Sequence, residues 1–403
     1  MKVFFRTIHL YLSLAAGIII FCSCFTGTLL VFEKEIEHTL HPKRYYVEAQ
    51  QVRMSLAQLI KGTLKEKPKA KFASAMVYSD ARRTVEIGLI VPGNKDKKEK
   101  PAQADGKKHA GAPGKAAKDG KDSGKPNLTV FVNPYTGQVP GEYNRRQTFL
   151  YNVEMFHRFL LAGKDSVGDW IVGISTLIFL FILITGVVLW WPKTKNIMRQ
   201  RLKIKWDGST KRLVHDLHIV TGFYTSVFLI IIVLTGLIMT FKWANQALFA
   251  ITGSKLEKEQ PKSPQSKYQA GVEALTVDAA LQNVAAKTQS AEYYTVRIPK
   301  DSAGTYSVNI LPQGAIENTG DTYYIDQYSG SLAGSQMFAS KSLGQRVRAL
   351  VKPVHTGSVY GLPTRIISFI ICLLSLIFPV TGVMMWLNRT KKKGKQVSKL
   401  TLV

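Results

Sequence analysis

Cysteine is scarce: three in 403 residues, Cys22, Cys24 and Cys372, a number and spacing that exclude both a disulfide framework and a Cys/His zinc site. They read as small buried apolar groups. No Gly-rich loop of the phosphate-cradling kind occurs, so a flavin or nicotinamide donor has to be a separate molecule. Acidic residues are few as well, 27 Asp+Glu against 54 Lys+Arg, for a formal charge of +27. An excess of that size is usual in nucleic-acid binders, but charge of either sign is absent from four stretches: Thr7 to Phe32, Trp170 to Pro192, Ile219 to Phe241 and Ile366 to Asn388. At about 1.5 Å per residue each spans roughly 30 Å, the thickness of the bilayer hydrocarbon. The absences therefore exclude a soluble nucleic-acid binder and predict an α-helical integral membrane protein with four transmembrane helices.

The basic residues give the orientation. The short flanks (Met1 to Ile8, Lys193 to Leu217 and the tail from Arg389) carry 16 Lys/Arg against the two acids Asp207 and Asp216. By the positive-inside rule all three are cytoplasmic, and the long segments between them face outward. The first span is too long in its apolar run for a cleaved signal peptide and reads as an anchor. The resulting map is 1–32 for the start and first span, 33–148 for a first outer domain, and 149–192 for an interfacial segment and second span. It continues with 193–217 for a cytoplasmic loop, 218–241 for the third span, 242–345 for a second outer domain, 346–388 for an interfacial segment and fourth span, and 389–403 for a basic tail. An insertion at 94–126 has ten Lys and almost no apolar residue beyond Ala. It cannot bury a core and is expected to be disordered, with His109 a solvated linker residue.

Every span carries a His near its start and a Thr-Gly pair near its far end, and the spacings match in alternate spans. His9 to Thr26 and His218 to Thr235 are each 17 residues; His157 to Thr185 is 28 and His355 to Thr381 is 26. This predicts two tandem repeats of helix, outer domain, helix. The outer domains repeat too: Thr129-Val-Phe-Val-Asn133-Pro-Tyr135-Thr-Gly137 aligns with Thr322-Tyr-Tyr-Ile-Asp326-Gln-Tyr328-Ser-Gly330 at an offset of 193. Each is a β-branched and aromatic run entering a tight turn. Amphipathic helices are expected at Ser55 to Leu64 and Val277 to Ala285, and strands at Arg83 to Val91, Tyr293 to Ile298 and Tyr306 to Leu311, giving two small α+β domains.

The histidines carry the candidate chemistry. His9 and His218 open spans that run outward, so they meet at the cytoplasmic face; His157 and His355 precede spans that run inward and meet at the outer face. A lone His at a helix end is usually an interfacial or capping residue. Four at duplicated positions form two facing pairs, the arrangement that holds two haems by axial ligation. The Thr-Gly pairs fit either close approach of a flat macrocycle or ordinary small-residue packing. His215 is a reserve ligand or a partner of His218. Because His157 and His355 lie 13 and 11 residues before their spans, they are expected on interfacial segments at or above the headgroups. Arg145, Arg146, Arg158, Arg346, Arg348 and Lys352 crowd these segments. They could pair with propionates or an anionic substrate, or simply anchor to headgroups. By helix rise the two histidine levels stand roughly 30 Å apart.

Arg6-Thr-Ile-His9, Phe156-His157-Arg158 followed by Trp190-Trp191-Pro192-Lys193, Asp216-Leu217-His218, and His355-Thr-Gly357 followed by Thr381-Gly382 resemble the PepSY-associated transmembrane family of bacterial inner-membrane proteins. The two outer domains look like PepSY modules, periplasmic in that family. The resemblance implies a di-haem b reductase, with His9, His218, His157 and His355 as ligands; among the basic residues that crowd the interfacial segments, Arg158 and Arg346 are the propionate candidates. It would pass electrons outward to Fe(III) held by a siderophore and so release the iron. Leu10 and Ile219 depart from the pattern, since the family often has Arg there. The partners expected are a ferric siderophore, membrane lipid and a separate electron donor, either a flavin or nicotinamide reductase or a quinol, and no nucleic acid. Two alternatives stand beside this reading: a quinol- or ascorbate-linked cytochrome b with another acceptor, and a non-enzymatic, membrane-anchored PepSY protein that binds a partner.

Overall fold

The structure, a computed structural model, describes residues 2–92, 125–256, 263–269, 271–288 and 290–400, the last ten by backbone alone. The insertion expected to be disordered, with His109, lies outside the described residues apart from its last two positions. Helix α1 (Lys2–Leu30) is followed by α2 (Glu33–Leu40) and α3 (Pro42–Tyr45). A first outer unit holds α4 (Leu56–Glu66) and strands β1 (Lys71–Tyr78), β2 (Val85–Ile90), β3 (Leu128–Val132) and β4 (Gly141–Tyr143). Then come α5 (Phe149–Phe159), α6 (Val167–Trp190), α7 (Lys195–Arg201), α8 (Thr210–Thr240) and α9 (Lys242–Ile251). The second outer unit holds α10 (Val277–Ala285) and strands β5 (Ala291–Arg297), β6 (Thr305–Pro312), β7 (Asp321–Asp326) and β8 (Leu332–Gln336). Helices α11 (Leu343–Thr356), α12 (Leu362–Ser375) and α13 (Ile377–Leu400) follow.

Among the described residues four helical stretches are long and apolar enough to cross a membrane: Lys2–Leu30, Val167–Trp190, Thr210–Thr240 and Leu362–Thr390. The chain is a membrane protein. All four helices begin earlier than the uncharged runs, since charged residues can ride the solvated first turns. Helix α8 starts at Thr210, where the Ser209 side chain accepts from Arg212 N, so His218 lies two turns inside it. The fourth span breaks between α12 and α13. Pro379 has no N–H to give the Ser375 carbonyl, and its ring crowds that carbonyl.

The strands form one continuous antiparallel sheet in the order β4-β3-β2-β1-β5-β6-β7-β8, where two separate small domains were expected. Alone, each four-stranded unit would expose β1 or β5 as an edge. Pairing them (Ala75 with Val296, Met76 with Thr295) removes both edges. It also lets α4 and α10 share one core: Leu56, Leu59, Ile87 and Val130 pack in the same cluster as Val277, Val284, Val308 and Ile325. The joint has a polar clamp. The Asp278 carboxylate accepts from the free N-terminal amides of α4, Leu56 N at 2.5 Å and Ala57 N at 2.9 Å. The repeated turns form as expected, with Gly137 and Gly330 at φ 72° and 67°.

Candidate functional site

Two histidine pairs lie in the helix bundle. The rings of His9 and His218 are 6.4 Å apart between centroids, and those of His157 and His355 are 6.5 Å apart. Each ring is held by the Thr of a Thr-Gly pair on another helix. His9 Nδ1 lies 3.0 Å from Thr185 Oγ1, His157 Nδ1 3.0 Å from Thr26 Oγ1, His218 Nδ1 2.8 Å from Thr381 Oγ1, and His355 Nδ1 3.0 Å from Thr235 Oγ1. All four hydroxyls are already spent as donors on the carbonyl one turn back in their own helix, those of Phe181, Cys22, Ile377 and Ile231. The hydroxyl oxygen is therefore left to accept, and the imidazole must donate from Nδ1. Three rings have a backbone carbonyl partner as well, His157 with Ser23 at 2.9 Å, His355 with Ile232 at 3.0 Å, and His9 with Ile182. The tautomer is thus set on all four rings, leaving Nε2 bare as a ligand.

The glycine of each pair lies against the ring, most tightly at Gly27. A Cβ at Gly27 would stand 3.3 Å from His157 Cε1, at Gly186 3.4 Å from His9 Cε1, at Gly236 3.4 Å from His355 Cε1, and at Gly382 3.7 Å from His218 Cε1. The Thr-Gly pairs are thus cradles for the imidazoles, a role that neither sequence-level reading of them had assigned.

The His157–His355 pair lies further inside the spans than its place before them in the sequence implies. His157 and His355 do not stand at or above the ends of the spans: His157 is bonded to Thr26, one turn inside α1, and the Gly236 beside His355 also faces Thr176, well inside α6. The segments before the second and fourth spans are helices, α5 and α11, that lie back against α1 and α8. The reversal after α5 uses left-handed backbone at Leu160, Leu161 and Gly163 (φ 50°, 66° and 87°), and the one after α11 uses Gly357 (φ 72°). From His9 to Thr26 along α1, and from His218 to Thr235 along α8, the rise is about 25 Å. That brings the two levels closer than the roughly 30 Å expected.

His215 does not join its neighbour: its side chain is half exposed and Nδ1 lies 3.3 Å from the buried Asp216 carboxylate. Asp216 also accepts from Arg212 Nε at 2.7 Å. Arg158 pairs with Glu154 at 3.1 Å, as does Arg145 at 2.5 Å. Arg348 donates to Asn245, and Arg346 is exposed on α11. Arg365, just before the uncharged run that starts at Ile366, forms an ion pair with Glu35 between α12 and α2; the sequence alone carried no sign of that partner. Among the described residues no three His, Cys, Asp or Glu side chains converge. Each pair therefore offers two ligands, which suits an ion that brings its own remaining ligands.

The fold and these cradled pairs define a class: a four-span membrane protein with two levels of facing histidines under an extramembrane β-sheet. Residues 6–389 match the family described as PepSY-associated TM region, and the chain belongs to that family. Among curated proteins, none matches it.

Proposed function

We propose that the chain is a di-haem b oxidoreductase of a bacterial inner membrane. In this reading it carries electrons from a cytoplasmic or membrane donor outward to Fe(III)-siderophore. It is built as two tandem helix–module–helix repeats, with both termini cytoplasmic and the sheet periplasmic as two fused PepSY-like halves. The observation that carries this reading is the ring separation. With about 2 Å from a metal to each imidazole nitrogen and about 1.1 Å more to the ring centre, two rings on one iron stand roughly 6.2 Å apart. The pairs stand at 6.4 and 6.5 Å. The fixed Nδ1–H tautomers and the glycine cradles fit the same role, because an axial histidine needs its second nitrogen held by an acceptor.

His9 and His218 would hold one haem, and His157 and His355 the other. Each haem would supply a one-electron carrier. The chain's part is to fix the ligands, exclude water from the Nε2 faces and place one pair near the sheet end of the bundle. Reduction of the substrate iron to Fe(II) weakens its hold on hard oxygen donors and leaves the chelator intact. Acid–base residues are not required for that step.

Absorbance spectra of the detergent-purified chain, oxidised and dithionite-reduced, test the reading. A Soret band and reduced α band equivalent to two bis-His haems per chain are expected; a preparation from haem-replete cells with no Soret band overturns it. His157→Ala should remove one haem and leave the other, and added ferric siderophore should reoxidise the reduced protein. Reoxidation by other acceptors but not by ferric siderophore would keep the haems and remove the substrate.

A further inference from the structure

We propose that the indole N–H of Trp190 donates a hydrogen bond to a carboxylate, namely a propionate of the haem held between His9 and His218. This rests on the haem reading above. Trp190 closes α6 and is 8% exposed, yet its Nε1 is buried with no hydrogen-bond partner. Indole nitrogen can only donate, and an unpaired buried donor is costly. Packing does not explain a tryptophan here. Its ring is stacked on Phe223 at 3.6 Å between centroids and 8° between planes, a contact a phenylalanine would make without the orphaned N–H.

The position points to the acceptor. Gly186 of α6 abuts His9 Cε1, and Trp190 is four residues further on, on the same helix face. Helical side chains lean toward the N-terminus, which for α6 is back toward the His9 level. The stacking partner Phe223 comes from α8, the helix that carries His218. The indole therefore lies on the α6 face that meets His9 and against the helix that carries His218. Within the described residues it meets no acceptor of the chain's own.

Positive charge stands nearby. The Arg201 guanidinium is fixed on the carbonyls of Leu189 and Trp190, and Lys2 Nζ donates to Trp191 O at 3.1 Å. The fourth span repeats the pattern: Thr185-Gly186-Val187-Val188-Leu189-Trp190 is matched by Thr381-Gly382-Val383-Met384-Met385-Trp386. Trp386 is 37% exposed, and the residue on α1 equivalent to Phe223 is Leu14. The two halves therefore differ in the stack, and the buried donor belongs to Trp190.

The test compares the full-length protein with Trp190→Phe, which keeps the stack and removes only the N–H, and with Trp191→Phe, a control on a side chain 65% exposed. Haem release is followed by transfer to excess apomyoglobin. In Trp190→Phe one of the two release phases should accelerate about tenfold or more, as expected for losing a hydrogen bond to a charged group; the other phase and the control should not change. The indole N–H vibration in ultraviolet Raman spectra, taken as wild type minus Trp190→Phe, should report a strongly bonded N–H in haem-loaded protein. Two unchanged phases, equal acceleration of both, or a weakly bonded indole each overturn the proposal while leaving the two haems standing. A wild-type protein without haem removes the reading beneath it as well.

Discussion

A hydroxyl and a missing side chain, side by side, decide what each histidine can do. Thr381 is the sole hydrogen-bond partner of the His218 ring among the described residues, whereas His157 has both Thr26 and the Ser23 carbonyl. Replacing the threonine with isosteric valine should therefore hurt unequally. Thr381→Val leaves His218 Nδ1–H with no acceptor, and loss of such a supporting partner costs about 10- to 100-fold in affinity for the bound group. Thr26→Val leaves the Ser23 carbonyl in place and should cost only about a few-fold. On the proposed di-haem reading, haem content titrated against added haem for the two purified variants measures the difference, and equal losses would show that the hydroxyls do not set the tautomer. The sequence shows the Thr-Gly pairs plainly, because small residues interrupt long aliphatic runs. It does not show which ring each pair cradles, because His9 meets Thr185 across 176 residues and His218 meets Thr381 across 163.

At the scale of elements, the extramembrane sheet carries two similar hairpin turns that differ in one charge. Asn133 Oδ1 accepts from Tyr135 N at 2.9 Å, and Asp326 Oδ1 accepts from Tyr328 N and Ser329 N, each at 2.9 Å. Asp326 Oδ2 also takes Lys267 N at 2.9 Å. Burial alone would push the Asp326 carboxyl up, but these donors outweigh it and hold the group below its ordinary value of 3.8. A carboxylate depressed in the folded state contributes stability that is complete above the unfolded value and is lost as pH falls through the folded one. The sheet should therefore weaken below about pH 4. Asp326→Asn keeps the acceptor for Tyr328 and Ser329 but loses the one for Lys267. It should cost about 1 to 2 kcal/mol at neutral pH and flatten this part of the acid dependence. Thermal melts in detergent from pH 3 to pH 7 check both. Helices α4 and α10 and strands β2, β5 and β6 were legible within a residue or two, since their apolar periods are strong. Strand β1 was not assigned, and neither was its pairing with β5: a sheet joint between distant segments leaves no local pattern, only two strands that would otherwise be bare edges.

For the whole molecule, direction is the property that function needs, and charge distribution carries it. The end of the bundle away from the sheet has 16 Lys/Arg and two acids on its short flanks, and that end holds His9 and His218. If these flanks are cytoplasmic, the His157–His355 pair lies on the side where ferric chelates arrive, and electrons move outward. If the topology were reversed, the same bundle would deliver them inward and the siderophore reading would fail. Single cysteines decide between the two in a background lacking Cys22, Cys24 and Cys372. Lys203 is exposed on the connection between α7 and α8, and Ser302 is exposed on the turn between β5 and β6. A membrane-impermeant maleimide should label Ser302→Cys in intact spheroplasts and Lys203→Cys only after lysis. The long outer segments have a milder basic excess and translocate regardless of it, so only the short flanks set the outcome. Replacing the flanking lysines and arginines, not those of the sheet, should therefore be what disturbs the labelling pattern.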